Sequence, residues 1–86
     1  MKLKNIFEIE TIEDKKFMVC LDSSIFAGMI ELNETAAFIV ECLKEETTID
    51  GIVDKIETVY DVGREEAINF VEQIVEQLKN INVLDE

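Results

Sequence analysis

The chain has no histidine, no tryptophan and no proline, and it carries only three glycines, two cysteines and eight basic residues. Each shortage removes a class of explanation. Without histidine the usual general base of nucleophilic catalysis and the commonest metal ligand are missing. The glycines are scattered, so no glycine-rich phosphate loop can form. Cys20 and Cys42 make neither a CxxC pair nor a disulfide framework and read as small buried hydrophobes. The remaining metal option is a carboxylate site, and the acids and glycines do not follow the spacing of an EF-hand. The expectation is a chain with no cofactor, no metal and no enzyme activity. No apolar run approaches the roughly 18 residues that span a bilayer. The basic start, Met1-Lys2-Leu3-Lys4-Asn5, leads into alternation and acids rather than the apolar stretch of a signal peptide, so a cytoplasmic location and no membrane partner are expected.

The shortage of bases bears directly on partners. Twenty acids against eight bases give a net charge of −12. Nucleic-acid affinity comes largely from Lys and Arg neutralising phosphates, and anionic membranes need the same residues. The bases are least scarce at the start: acids and bases number 6 and 4 in residues 1–32, then 7 and 2 in both 33–60 and 61–86.

What is present is apolar material spread along 86 residues, 48% of the composition. That amount supports one packed core, and a chain this short buries only roughly 60–65% of its unfolded surface, too little to divide between two. Residues 1–86 are therefore expected to form a single domain. The first 32 residues read as three short strands. Phe7 and Ile9 alternate with Glu8 and Glu10, and Phe17, Val19 and Leu21 alternate with Met18 and Cys20. Glu13-Asp14-Lys15-Lys16 is the expected turn between them. Asp22-Ser23-Ser24 makes a second break before a third strand, Ile25 to Leu32, in which Gly28 marks a bulge or a close backbone approach. The Asp-Ser of that break has the residue types of a phosphopantetheine site, but a carrier serine opens a helix and this one lies in a strand break.

Helical periodicity begins at Asn33, a good N-cap, with Ala36, Ile39, Val40 and Leu43 on one stripe and an end near Glu45-Glu46. Thr47-Thr48 caps a second helix with the stripe Ile49, Ile52, Val53, Ile56 and Tyr60, which Gly51 weakens slightly. After Asp61-Val62-Gly63 the longest helix, roughly 64–80, buries Ala67, Val71, Ile74, Val75 and Leu78. Glu65 and Glu66 suit its positive end and Lys79 its negative end. Phe70 lies at the margin of the stripe, where core packing and groove lining are equally open. Val83 and Leu84 are expected to tuck against the core. The order is a β-β-β-α-α-α, α+β arrangement in which the helices cover one face of a three-stranded antiparallel sheet.

At Glu31-Leu32-Asn33-Glu34-Thr35-Ala36-Ala37, followed by Phe38-Ile39, the chain resembles the PqqD family, whose third strand enters its first helix through an LN-x-TA junction. The likeness continues through Thr48-Ile49-Asp50-Gly51-Ile52-Val53 and Val59-Tyr60-Asp61-Val62, and through Val71, Ile74-Val75, Leu78 and Val83-Leu84, covering roughly residues 5–85. The chain departs from the pattern at Asn82, where a glycine is common, and at Phe70, where an acid often sits. The resemblance implies a winged-helix-like RiPP recognition element, a chaperone-like domain that binds the leader segment of a ribosomally made precursor peptide and presents it to a tailoring enzyme, by family analogy a radical S-adenosylmethionine enzyme. It further implies a peptide site along the third strand, Phe26, Ala27, Gly28, Met29, Ile30, Glu31 and Leu32, facing Phe70, Ile74 and Gln77 of the last helix.

The physics of that mode is general. An open sheet edge carries unpaired N–H and C=O groups, so an extended peptide can add itself there, with backbone bonds giving affinity and pockets giving specificity. Four such bonds and two apolar anchors give about 5–12 kcal/mol gross, less several for ordering the guest, hence affinity from below 1 μM to about tens of μM. The acids of the last helix favour a neutral or partly basic peptide, with affinity falling as salt rises. The alternative is an acidic winged-helix domain of another kind, either a DNA-binding descendant or a dimerisation module. Against the first, the would-be recognition helix sets Arg64 and Lys79 against Glu65, Glu66, Glu72 and Glu76. Monomer and dimer both remain open.

Overall fold

The computed structural model describes residues 1–22, 24 and 28–85. In chain order the elements are β1 (Lys2–Leu3), β2 (Phe7–Ile12), β3 (Lys15–Cys20), β4 (Met29–Leu32), α1 (Glu34–Cys42), α2 (Ile49–Val59), α3 (Arg64–Asn80) and β5 (Leu84–Asp85). The expected antiparallel sheet is present in the order β2-β3-β4, and the three helices follow it. The upstream part of the expected third strand, at Ile25, Phe26 and Ala27, lies outside the described residues, as does Ser23.

The β2–β3 turn is shorter than the sequence suggests. Ile12 pairs with Lys15 and Thr11 with Lys16, so both lysines belong to β3 and the turn is Glu13-Asp14 alone. Both residues have positive φ, 51° and 68°, as a two-residue type I′ connection requires, because its twist matches that of the flanking strands. Gly28 also has positive φ, 103°, and a Cβ there would meet nothing within 4 Å. Its role is a left-handed backbone position, not a close approach.

Register decides which face of the sheet is buried. Phe7 pairs with Cys20, Ile9 with Met18, and Met18 with Ile30. Paired residues share a face, so these side chains turn toward the helices. Met18 is 1% exposed, whereas Leu21 is 62% exposed. Phe17 and Val19 occupy the opposite face. Phe7 and Met18 join one core with Ile39, Val40 and Leu43 of the α1 region, Ile52, Val53 and Ile56 of α2, and Ala67, Val71, Val75 and Leu78 of α3.

The helix starts follow their caps. The Asn33 side chain accepts from the Ala36 N–H at 2.7 Å and that of Thr48 from the Gly51 N–H at 3.1 Å, satisfying donors that have no partner inside the helix. α1 stops at Cys42, short of the expected Glu45-Glu46. There the Leu43 carbonyl accepts from the N–H of Leu3 at 2.7 Å, and the Thr47 N–H donates to the Met1 carbonyl at 3.0 Å. These groups bond to the incoming start of the chain instead of continuing a helix.

A second, two-stranded sheet pairs β1 with β5, Leu3 opposite Leu84. Val83 and Leu84 are buried, as expected, and they do so as part of this ribbon. α3 hands over to it through Asn82, whose φ is 60°. The Asn82 N–H donates to the Lys79 carbonyl at 3.1 Å and the Val83 N–H to that of Leu78 at 3.2 Å. This pair of bonds is the Schellman closure, in which asparagine is the usual substitute for glycine. Among the described residues no helix is long and apolar enough to cross a membrane.

Candidate functional site

β4 is an edge. β3 lies on one side of it, and among the described residues no strand lies on the other. In an antiparallel pair, alternate residues exchange both backbone bonds with the neighbour, and the residues between them turn both groups outward. A four-residue edge therefore offers two such residues.

Beside this edge runs a cleft built by three elements. Ile30 and Leu32 come from the inner face of β4, Ala36 and Val40 from α1, and Ile74, Gln77 and Leu78 from α3, with Met18 and Ile81 adding apolar surface. Its volume is about 170 Å³. A second hollow of about 200 Å³ is lined by Asn33, Thr35, Ala36, Phe70, Gln73 and Ile74. The two share Asn33, Ala36 and Ile74. Adjoining at these residues, they form a mainly apolar trough with Glu31 at its β4 rim and an α3 wall, at Phe70, Gln73, Ile74 and Gln77, that carries no charge. A wider hollow of about 360 Å³ opens at the β2–β3 turn, between Asp14, Lys15 and Lys16 on one side and Glu31 to Glu34 on the other.

The local sequence explains the trough. Ala36 is the small residue on the α1 stripe, so α1 leaves room opposite Ile74. On α3, steps of three and four from Phe70 reach Gln73, Ile74 and Gln77 on one side of the helix, while the deeper stripe at Val71, Val75 and Leu78 is spent on the core.

Ile30, Glu31, Leu32, Phe70, Ile74 and Gln77 thus border the trough. Phe70 is 38% exposed, a wall of the hollow and not part of the core. Ile74, expected on the buried stripe, is only half-buried because it faces the trough. Met29 is different: its register partner is Val19, which sets its side chain on the far face of the sheet. Gly28 precedes the strand, and Phe26 and Ala27 lie outside the described residues. Sequence reasoning missed Met18, Asn33, Thr35, Ala36, Val40, Gln73, Leu78 and Ile81. Leu78 and Ile81 follow Ile74 at helical steps of four and seven, and Gln73 follows Phe70 at three, so this part of the wall was available from periodicity.

Charge is arranged away from the trough floor. Arg64, at the start of α3, donates to the carboxylates of Asp54 at 2.9 Å and of Glu57, and stands 3.9 Å from Asp50. These bonds to Asp54 and Glu57 hold its guanidinium above the usual arginine pKa. The arginine is therefore committed to joining α3 to α2. Asp22 is held below the usual carboxylate range by hydrogen bonds from the Ser24 hydroxyl and N–H. Cys42 is pushed up by burial. Among the described residues no group of three or more Cys, Asp or Glu stands where it would hold a metal ion.

Comparison with known proteins agrees with this arrangement. The sequence model of the family described as coenzyme PQQ synthesis protein D (PqqD) matches residues 10–84. The PqqA binding protein of Methylococcus capsulatus (Bath strain) is 56% identical over 36 residues, which is 42% of this chain and 39% of that relative's length. Among solved structures, the chain is similar to TbiB1 in complex with the TbiA(beta) leader peptide, with a TM-score of 0.79 and 22% identity over 99% of this chain and 95% of that one. It is also similar to lasso peptide synthetase B1 complexed with the leader peptide, with a TM-score of 0.72 and 22% identity over 92% and 89% of the two chains. At that identity the likeness establishes a common fold.

Proposed function

The chain belongs to the PqqD family, and on that premise we propose that residues 1–86 act as one non-catalytic recognition domain. It takes the leader segment of a ribosomally made precursor peptide as an added strand on β4 and presents that peptide to a separate tailoring enzyme. The observation that carries the reading is the coincidence of an open strand edge with a largely apolar trough whose α3 wall carries no charge. The edge offers backbone partners to any extended peptide, and the trough selects among peptides by accepting apolar side chains on one face. One relative is named for binding PqqA, and both solved neighbours hold leader peptides, which supports the same occupant here.

In this reading Ile30, Leu32, Phe70, Ile74 and Gln77 contact the guest's side chains, while Gly28 to Leu32 supply the backbone edge. The domain contributes effective concentration, not chemistry. Its partner enzyme is of the radical S-adenosylmethionine type by family analogy, and the pair works in the cytoplasm. The test is a titration of ¹⁵N-labelled chain with synthetic leader peptides. The expected amide shifts fall at Ile30 to Leu32 and along Phe70 to Gln77. Shifts confined to the acidic face of α3, or none at saturating peptide, would sink the reading.

A further inference from the structure

The face of the sheet turned away from the helices is not a neutral exterior. Register places Glu10, Phe17 and Glu31 in one row across β2, β3 and β4, and Glu8, Val19 and Met29 in the next. Ile12 lies opposite Lys15 at the turn, and alternation carries Leu21 onto the same side as Phe17 and Val19. Three of the five large hydrophobic side chains exposed among the described residues, Ile12 at 48%, Leu21 at 62% and Met29 at 55%, belong to this side. The centre is apolar and the rim is acidic except at Lys15, which alternation with Phe17 sets on this side beside Ile12. No ion pair joins Glu8, Glu10 or Glu31 to a base among the described residues.

We propose that this outer sheet face, with Phe17 and Val19 at its centre and Glu8, Glu10 and Glu31 around it, docks a protein surface with an apolar centre and a Lys/Arg rim, contributed by the modifying enzyme. The assignment of that surface to the enzyme rests on the peptide-capture reading. Charge decides the occupant. A second copy of this chain would set the same unpaired carboxylates against each other, between two molecules of net charge −12, and like charges juxtaposed across an interface are strongly unfavourable. Nucleic acid and anionic lipid meet the same repulsion. A basic-rimmed protein gains on both counts, because its bases pair the carboxylates and its centre covers exposed apolar side chains. The geometry also separates the two tasks. Alternate residues of β4 point to opposite faces, so Ile30 and Leu32 serve the trough while Met29 faces the enzyme, and one strand holds both partners at once.

The probe is a purified tailoring enzyme chosen from those encoded beside this chain, measured by biolayer interferometry against the full chain. Two variants are used: the double charge reversal Glu8→Lys with Glu10→Lys, both at exposed positions, and Phe17→Thr, which keeps strand preference. Each is expected to weaken enzyme binding by about tenfold or more while leader-peptide affinity stays within about twofold, the latter also reporting that the variant is folded. Added salt should weaken enzyme binding by the wild type more than by the double variant. The proposal is overturned if the double variant holds the enzyme as tightly as the wild type, or if the wild type does not bind that enzyme. Sedimentation showing a wild-type dimer that Phe17→Thr dissociates would also overturn it. Enzyme binding that depends on this face in a chain that binds no leader would strike the peptide-capture reading and leave the docking face standing.

Discussion

Replacing single amide N–H groups of a bound leader by N–CH3 separates strand addition from every other way of filling the trough. A guest lying beside β4 must point alternate amides at the edge and the others at solvent. Each methyl on an edge-facing amide removes one backbone bond worth about 0.5–1.5 kcal/mol and forces a carbon into an inter-strand gap of about 4.8 Å. The combined loss is about 1–3 kcal/mol, a weakening of about 5- to 150-fold. A methyl on a solvent-facing amide costs little. With β4 four residues long, two of them facing outward, the affected leader positions should be about two in number and two residues apart. Fluorescence anisotropy of labelled peptides, one methylated position at a time, reads the pattern directly. A period of three to four would mean that the guest is helical and lies in the trough by its side chains alone. A uniform response would mean that no ladder forms. Either result would refute strand addition on β4 even if the trough proved to be the site.

Ile74→Ala removes three carbons from the wall shared by both hollows, and at about 0.8 kcal/mol per buried carbon with about half of the burial supplied by the guest, leader affinity should fall by about 1 kcal/mol, or fivefold. Calorimetric titration checks this, and an unchanged affinity would remove Ile74 from the site. Asn82→Ala should lower stability by about 1–2 kcal/mol, because alanine lacks the side chain that makes the left-handed position tolerable, whereas Asn82→Gly should be neutral or slightly stabilising; urea melts of both variants decide it. The Cys42 thiol, raised by burial, should stay largely protonated and slow to alkylate until the pH passes above the ordinary thiol range of about 8.5. The rate of iodoacetamide labelling at Cys42, followed by mass spectrometry across alkaline pH, should therefore rise later than that of a free thiol peptide.

How much of this was legible in the sequence follows from how local each signal is. The caps at Asn33 and Thr48 and the three helical stripes were readable because capping and periodicity involve residues a few positions apart. The two-residue turn at Glu13-Asp14 was hidden, since a type I′ turn ordinarily announces itself with asparagine or glycine and this one has neither. The buried side of β3 was ambiguous because Phe17, Met18, Val19, Cys20 and Leu21 are all apolar, and alternation cannot orient a strand that does not alternate. Register against Ile9 and Ile30 settles it in favour of Met18. The β1–β5 ribbon left no trace, being two residues long on each side and joining the two ends of the chain. For the trough, the α3 wall was available from helical steps and the β4 edge from the resemblance. The floor at Met18 and the gap opposite Ala36 were not, because both depend on how the sheet is set against the helices.

That ribbon also allows stability and binding to be separated. Leu3 is 2% exposed, its N–H is held by the Leu43 carbonyl, and the next N–H, that of Lys4, donates to the Val83 carbonyl at 2.9 Å. Neither residue lines the trough. Leu3→Ala should cost about 2–3 kcal/mol, the low end for a buried leucine because a strand of two residues at the edge of the fold can partly close the cavity. A chain of this length has about 4–13 kcal/mol in total, so the melting temperature should drop by about 8–24 °C while the protein stays folded at 25 °C in all but the weakest case. Leader affinity corrected for the folded fraction should then be unchanged, because the trough is set by β4, α1 and α3, which keep their own contacts. A variant that remains folded by circular dichroism but loses leader affinity about tenfold would show that the ribbon holds α3 at its distance from β4. The width of the trough would then be a property of the joined chain ends and not of the elements that line it.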